Sequence, residues 1–366
     1  MWLLLVALCL AQGLEDATPV AEAFYNPERF MNISQKILFH GYPSEEYEVM
    51  TEDGYILSLN RIPHGKEDAE TPVLIVHGFC LDGGDWVDNF PNSSLAFILA
   101  DAGYDVWIGN NRGNSWSRRH RSLSISSEEF WDFSFHEMAV YDLPAMVDFI
   151  LMQSEQEKLF YIGHAQGSTL GFIAFSSLPH LAEKIKLFFA LAPLYTFHHA
   201  RGPVLKLAFL PDLLLKLVLV GRKEKPFLVE ECSRPLAADV CTDTIFLVGG
   251  FDKDNLNMSR LDVYLSHFPD YTSVKNLLHW GQEFSPPSQL TPPFYRIEAM
   301  SVPVAVWSGG DDWVTPPVET QRLLPRLTNI VHHEHFPDWN HFDHHWGLNA
   351  PERLYGRIVA LMEENP

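Results

Sequence analysis

The sequence predicts a mostly parallel β-sheet with helices packed on both of its faces and a helical block inserted late in the chain. Three observations carry that prediction. Apolar runs such as Val73–Val76, Leu159–Ile162 and Ile185–Leu191 lack the in–out alternation of a half-exposed sheet, as strands buried on both faces do. Segments of helical spacing alternate with them, the order of a sheet joined by crossover helices. Between residues 196 and 290 the alternation breaks off and a stretch of different character intervenes.

The elements follow in order. The chain opens MWLLLVALCLAQG, apolar from Trp2 to Ala11 with small residues at Ala11 and Gly13. Residues 1–13 therefore read as an export signal, too short to span a bilayer. Export suits the three N-x-S/T glycan acceptors at Asn32, Asn92 and Asn257. Tyr47–Met50 and Tyr55–Arg61 flank Asp53-Gly54 and predict a hairpin. Val73–Val76 is the next strand and ends in His77-Gly78; Leu95–Ala102 has helical spacing, and Tyr104–Ile108 is a strand running into the polar turn GNNRGNSW. A long helix is expected from Glu128 to Gln153, with Ser126 or Ser127 as its cap. Leu159–Ile162 runs straight into GHAQG, and a helix follows over Ser168–Phe175. After Ile185–Leu191, later strands are expected at Val302–Trp307 and Ile330–Phe336. A closing helix covers Pro351–Glu364, with proline in its first turn. The sheet domain thus comprises residues 14–195 and 291–366.

The intervening 196–290 block reads as a cap over the strand ends, an ordinary helical subdomain being the alternative. Within Val204–Gly221, Lys206, Pro211, Asp212 and Lys216 make a membrane span unfavourable, and two short amphipathic helices hinged at Pro211 fit better. Cys232 and Cys241 bound a short loop that an oxidising compartment would close as a disulfide. Cys9 would leave with the signal, and Cys80 lies outside that loop.

Composition narrows the function classes. With 46% hydrophobic and 20% charged residues the chain is that of a folded globular protein. A formal charge of −21 argues against nucleic acid or an anionic membrane as an electrostatic partner. Protonating the 17 histidines would cancel most of that charge, which suits an acidic lumen or secretion. The six histidines between His332 and His345 read as a solvated, titrating surface. No CxxC pair and no zinc-like histidine spacing is present, so neither metal nor cofactor is predicted.

Chemistry concentrates at Gly163-His164-Ala165-Gln166-Gly167. Strand, then glycine-bounded turn, then helix is the context of a nucleophile elbow, in which the central residue projects into the site and its neighbours offer backbone N–H groups to a developing oxyanion. The pattern calls for serine at the centre, and this chain has Ala165. Asp312 and His341 each follow a predicted strand, in the order nucleophile, acid, base. Asp311 is the competing acid, and Asp312 is preferred. Oxyanion donors are expected from the Gln166 N–H and from the loop His77-Gly78-Phe79-Cys80. Ser168, the nearest hydroxyl, lies one helical turn on, out of the elbow's geometry.

The segments NSSLAFILADAGYDVWIGNNRGNSWSRRH, EFWDFSFHEMAVYDLPAMVDFI, SRLDVYLSH and NAPERLYGRI resemble the mammalian acid lipases, a family that includes gastric and lysosomal acid lipases. The resemblance covers nearly the whole chain after the signal. It implies an α/β-hydrolase fold with a cap and a serine esterase triad acting on neutral lipid esters at acid pH, in secretions or the lysosomal lumen. Carried across by position, it implies triad sites at Ala165, Asp312 and His341, oxyanion donors at Phe79 and Gln166, a Cys232–Cys241 disulfide and a glycan at Asn32. The chain departs from the family at Ala165, in HGFCLDGGDW, at Asn111, and in a shorter segment between Trp280 and Pro292.

Without a nucleophilic oxygen no acyl-enzyme can form. In the subtilisin example, losing the nucleophile lowers kcat on the order of a millionfold. The sequence is therefore expected to bind neutral lipid esters or another fatty acyl ligand, with the cap at the lipid–water interface and with little or no hydrolysis. Two alternatives stay open: an active triacylglycerol or cholesteryl-ester lipase if Ala165 is not the native residue, and a secreted interaction protein with no lipid ligand.

Overall fold

The computed structural model describes residues 26–63, 71–197, 199–202, 243, 246–282 and 295–366. The signal at 1–13, the Val204–Gly221 helices and the Cys232–Cys241 loop lie outside the described residues.

Nine strands among the described residues form one sheet: β1 (Glu45–Met50), β2 (Tyr55–Ile62), β3 (Pro72–Val76), β4 (Asp105–Gly109), β5 (Arg119–His120), β6 (Leu159–His164), β7 (Ile185–Leu191), β8 (Val304–Gly309) and β9 (Ile330–Phe336). Their order is β1-β2-β4-β3-β6-β7-β8-β9, with β5 paired to β2. β1 and β2 form the antiparallel hairpin, turned at Gly54 with φ of 100°. Every pairing from β4 through β9 along that order is parallel. The core strands β3, β4, β6 and β8 are buried along their whole length, as their unalternating sequences predict.

Alternate residues of one strand feed two cores. Val73 and Ile75 of β3 pack with Ile37 of helix α1 (Ile33–Phe39), Phe97 of α2 (Leu95–Asp101) and the C-terminal helix. Leu74 and Val76 pack on the other face, with Met146 and Ile150 of α3 (Leu143–Ser154) and Leu170 of α4 (Gln166–Ser177). Helices therefore cover both faces, and the strand C-termini are left to carry a site.

The long helix expected from Glu128 is a correction. The segment is a 3-10 turn (Glu129–Trp131), a short helix (Phe135–Glu137) and a π-helical turn (Met138–Asp142) ahead of α3. Ser134, not Ser126 or Ser127, makes the cap: its hydroxyl accepts from the His136 N–H at 3.2 Å, while Glu137 accepts the Ser134 N–H at 2.7 Å. Burying Phe130 and Phe133 sets the chain off a continuous helical path before that cap. Of the expected cap, the described part includes α5 (Leu261–His267) and α6 (Val274–Gln282).

Candidate active site

The elbow lies between β6 and α4. Ala165 is buried and has φ of 48° and ψ of −112°. An L-residue is strained at positive φ, so the surrounding structure must hold it there. Steric demand from both glycines shows how. A Cβ on Gly163 would lie 2.5 Å from the Gly167 carbonyl carbon, and one on Gly167 would lie 2.4 Å from the Val76 oxygen. Strand and helix thus cross too closely for side chains at either position, which leaves the residue between them to turn sharply.

The loop after β3 closes over the elbow: a Cβ on Gly78 would come within 3.2 Å of the Ala165 methyl. Among the described residues, no acceptor takes the backbone N–H of Phe79 or of Gln166. Those two groups, one on each side of the elbow, are the expected oxyanion donors, and the Gln166 N–H also stands at the N-terminus of a helix. His77 stiffens the loop, with Nδ1 2.9 Å from the Gly78 oxygen and Nε2 accepting the Asn111 N–H at 3.2 Å.

At the C-terminal ends of the next strands the chain supplies an acid and a base. Asp312 and His341 meet with Oδ2 2.8 Å from Nδ1. Asp311 does not reach His341; its carboxylate takes the indole N–H of Trp313 at 3.4 Å. Asp312 is held by a local turn: Oδ1 accepts from the N–H groups of Val314 at 2.8 Å and Thr315 at 2.7 Å, and Oδ2 from the Thr315 hydroxyl at 2.7 Å. Burial works to raise the Asp312 pKa, but the facing His341 and the Thr315 donors outweigh it and hold the carboxyl below its usual value. An ionised Asp312 only accepts, so the His341 proton sits on Nδ1 and leaves Nε2 as the working nitrogen. No hydrogen bond engages that Nε2 among the described residues.

Ser168 does not substitute for the missing hydroxyl. Its Oγ donates to the Gly163 carbonyl at 2.6 Å, and approaches the Leu191 carbonyl at 3.3 Å, which ties it to the sheet beneath the helix. Ala165, which carries only a methyl group, is thus flanked in sequence by His164, whose Nε2 lies 3.1 Å from the carbonyl oxygen of His341.

Several residues beside the site escaped the sequence reading. The Gln166 side chain joins elbow and α6: its Oε1 accepts from Asn276 Nδ2 at 3.0 Å and from Trp280 Nε1 at 2.9 Å. Arg112 pins the GNNRG turn by donating to Asp142 at 2.7 Å and to Asp53 at 2.6 and 2.9 Å. The histidine-rich stretch is a second correction. His333 and His335 are exposed on β9, but His341, His344 and His345 are buried, because the short helix Asp343–Trp346 packs inward. With His164 they make a cluster in which the His164 ring lies 4.7, 6.2 and 4.5 Å from those of His341, His344 and His345.

The three glycan acceptors differ in exposure. Asn92 is exposed, and Asn32 and Asn257 are half-buried, with Asn32 also capping α1 through its Oδ1. Among the described residues no cluster of potential ligands has the arrangement of a metal site, and no helix is long and apolar enough to cross a membrane.

Comparisons with known proteins bear on the fold and the family. A sequence profile for the alpha/beta hydrolase fold matches residues 71–348, and one for a partial alpha/beta-hydrolase lipase region matches 33–90. The chain is 46% identical to lipase member M of Mus musculus, covering 100% of this chain and 94% of that one. It is 47% identical to gastric triacylglycerol lipase of the same species, covering 100% of both. To the human lysosomal acid lipase/cholesteryl ester hydrolase it is 48% identical, over 93% of this chain and 92% of the other. Among solved structures, a thermophilic esterase from Thermogutta terrifontis superposes with a TM-score of 0.54 at 17% identity, covering 87% of this chain and 98% of its own, which speaks to the fold alone.

Proposed function

The chain belongs to the α/β-hydrolase family, in its acid-lipase branch, and we propose that it is an exported acyl-lipid-binding protein that does not form an acyl-enzyme. The observation that carries this reading is Ala165 at the centre of a strained elbow in a chain that also pairs Asp312 with His341, and we take the Phe79 and Gln166 N–H groups as the oxyanion donors. Such a site can bind and polarise an ester carbonyl but has no oxygen with which to attack it. The relatives' printed activities on triacylglycerol and cholesteryl ester suggest neutral acyl lipids as the ligand class, and their lysosomal and gastric names suggest secretion or the lysosomal lumen as the compartment. The same proposal takes residues 1–13 as the signal, residues 196–290 as the cap, Cys232–Cys241 as its disulfide and Asn32, Asn92 and Asn257 as glycan sites.

The test is to restore the oxygen. Ala165→Ser should raise hydrolysis of a p-nitrophenyl acyl ester from background by several orders of magnitude, because serine would complete the constellation. His341→Ala in that background should abolish the gain. No gain from a folded Ala165→Ser protein would mean that the oxyanion loop or the base is misplaced, and would sink the reading of an intact site lacking one atom. Hydrolysis by the unaltered chain that His341→Ala abolishes would sink the non-enzyme reading instead.

A further inference from the structure

We infer that the site selects the free carboxylate of a long-chain fatty acid over the corresponding ester. This rests on the reading that the pocket receives acyl lipids, and it names which acyl species the pocket prefers.

The inference starts from what the alanine leaves behind. In a serine enzyme the hydroxyl at this position engages the imidazole Nε2; a methyl group cannot. His341 is 4% exposed, its Nδ1 is committed to Asp312, and no group among the described residues meets its Nε2. The Phe79 and Gln166 N–H groups likewise have no acceptor there. Three hydrogen-bonding groups without a partner thus belong to segments that meet at the elbow, since a Cβ on Gly78 would lie 3.2 Å from the Ala165 methyl and the His341 carbonyl lies 3.1 Å from His164 Nε2. Ala165 itself belongs to the apolar core cluster that includes Leu194, Phe197 and Trp280.

An ester matches this set poorly. Its carbonyl oxygen can take the two backbone donors, but its alkoxy oxygen is a weak acceptor and would leave His341 unsatisfied. A carboxylate has two equivalent acceptor oxygens. One can occupy the backbone pair, and the other can share a proton with Nε2, at the place a serine hydroxyl would have filled. The resulting imidazolium lies between two carboxylates, Asp312 on Nδ1 and the ligand on Nε2, so its charge is paired on both sides. The acyl tail would run along the apolar cluster.

The experiment uses the full-length secreted protein and measures binding of oleate and of methyl oleate below their micellar concentrations by equilibrium dialysis. Oleate is expected to bind at least about tenfold more tightly, the worth of one charge-assisted hydrogen bond. His341→Phe should remove that preference, so that oleate and methyl oleate bind this variant with equal affinity. Ala165→Ser, which offers Nε2 an internal partner, should weaken oleate binding several-fold and keeps the test open should His341→Phe not fold. Equal binding of both lipids, an oleate preference that survives His341→Phe, or an oleate affinity that Ala165→Ser leaves unchanged would overturn the carboxylate inference and leave acyl-lipid binding standing. Failure of both lipids to bind would remove the proposed function itself.

Discussion

Two groups of imidazole meet at the elbow, and they differ in what faces them. His341 has the Asp312 carboxylate 2.8 Å from one nitrogen, and that carboxylate is itself held by Thr315. His344 and His345, equally buried, have no partner for either ring nitrogen among the described residues. His164 has the His341 carbonyl oxygen at 3.1 Å. The comparison teaches that burial does not decide what a histidine meets. A proton is penalised where burial leaves little but aromatic rings and other imidazoles to face it. For His164 and His345, burial and then repulsion by neighbouring histidines hold the imidazole well below its usual pKa; for His344, burial lowers it to about 4. Trp86, Trp339, Phe342 and Trp346 supply the rings around them.

The largest effect that would break this comparison is on stability against pH. A base whose folded pKa is lowered binds fewer protons when folded than when unfolded, so stability falls as pH drops. The window opens at the unfolded histidine value near 6.5 and extends for His344 to about 4. Each histidine contributes about 1.4 kcal/mol per pH unit there, so the three together would cost up to about 4 kcal/mol per unit. Urea titrations from pH 7.5 to 4.5 should show that slope, and the pair His344→Phe with His345→Leu should remove most of it. A wild-type stability flat across the window would mean that the three rings find partners or water. Such acid sensitivity would sit oddly beside the acid lumen suggested by the histidine count, and the titration weighs one against the other.

Next in size is the partnered side. Asp312→Ala strips His341 of its acceptor and empties the turn at Val314 and Thr315, and should cost about 3 kcal/mol at pH 7, read from the denaturation midpoint. A loss under about 1 kcal/mol would show that the pair adds little beyond orientation. Smallest is Thr315→Val, which deletes one hydroxyl donor to Asp312 at nearly constant volume and should cost about 1 kcal/mol. If Thr315→Val cost as much as Asp312→Ala, the turn rather than the pair would be the stabilising element.

Much of this architecture was legible in the sequence because it rests on local pattern. β7 and β9 begin and end at the residues the sequence predicts, and the elbow announces itself by a strand, two glycines and a helix in immediate succession. What was illegible depends on partners far apart in the chain. Gln166 finds Asn276 and Trp280, and Arg112 finds Asp53 and Asp142, across gaps that no periodicity spans. His344 and His345 resembled a polar surface run because composition carries no information on which way a short helix faces. The misread helix at 128–153 is a different case. The Ser134–Glu137 capping box was present in the letters, but the apolar spacing on either side of it favoured one continuous helix.

The positive φ of Ala165 bears on how such a chain changes over time. Alanine and serine differ by one oxygen, and the turn that would present that oxygen is imposed by the close crossing of Gly163 and Gly167 rather than by the side chain it displays. The backbone therefore does not relax when the reagent is lost. Exchange of alanine for serine here, in either direction, therefore carries little consequence for folding, and the same turn would present an oxygen as readily as it presents a methyl group.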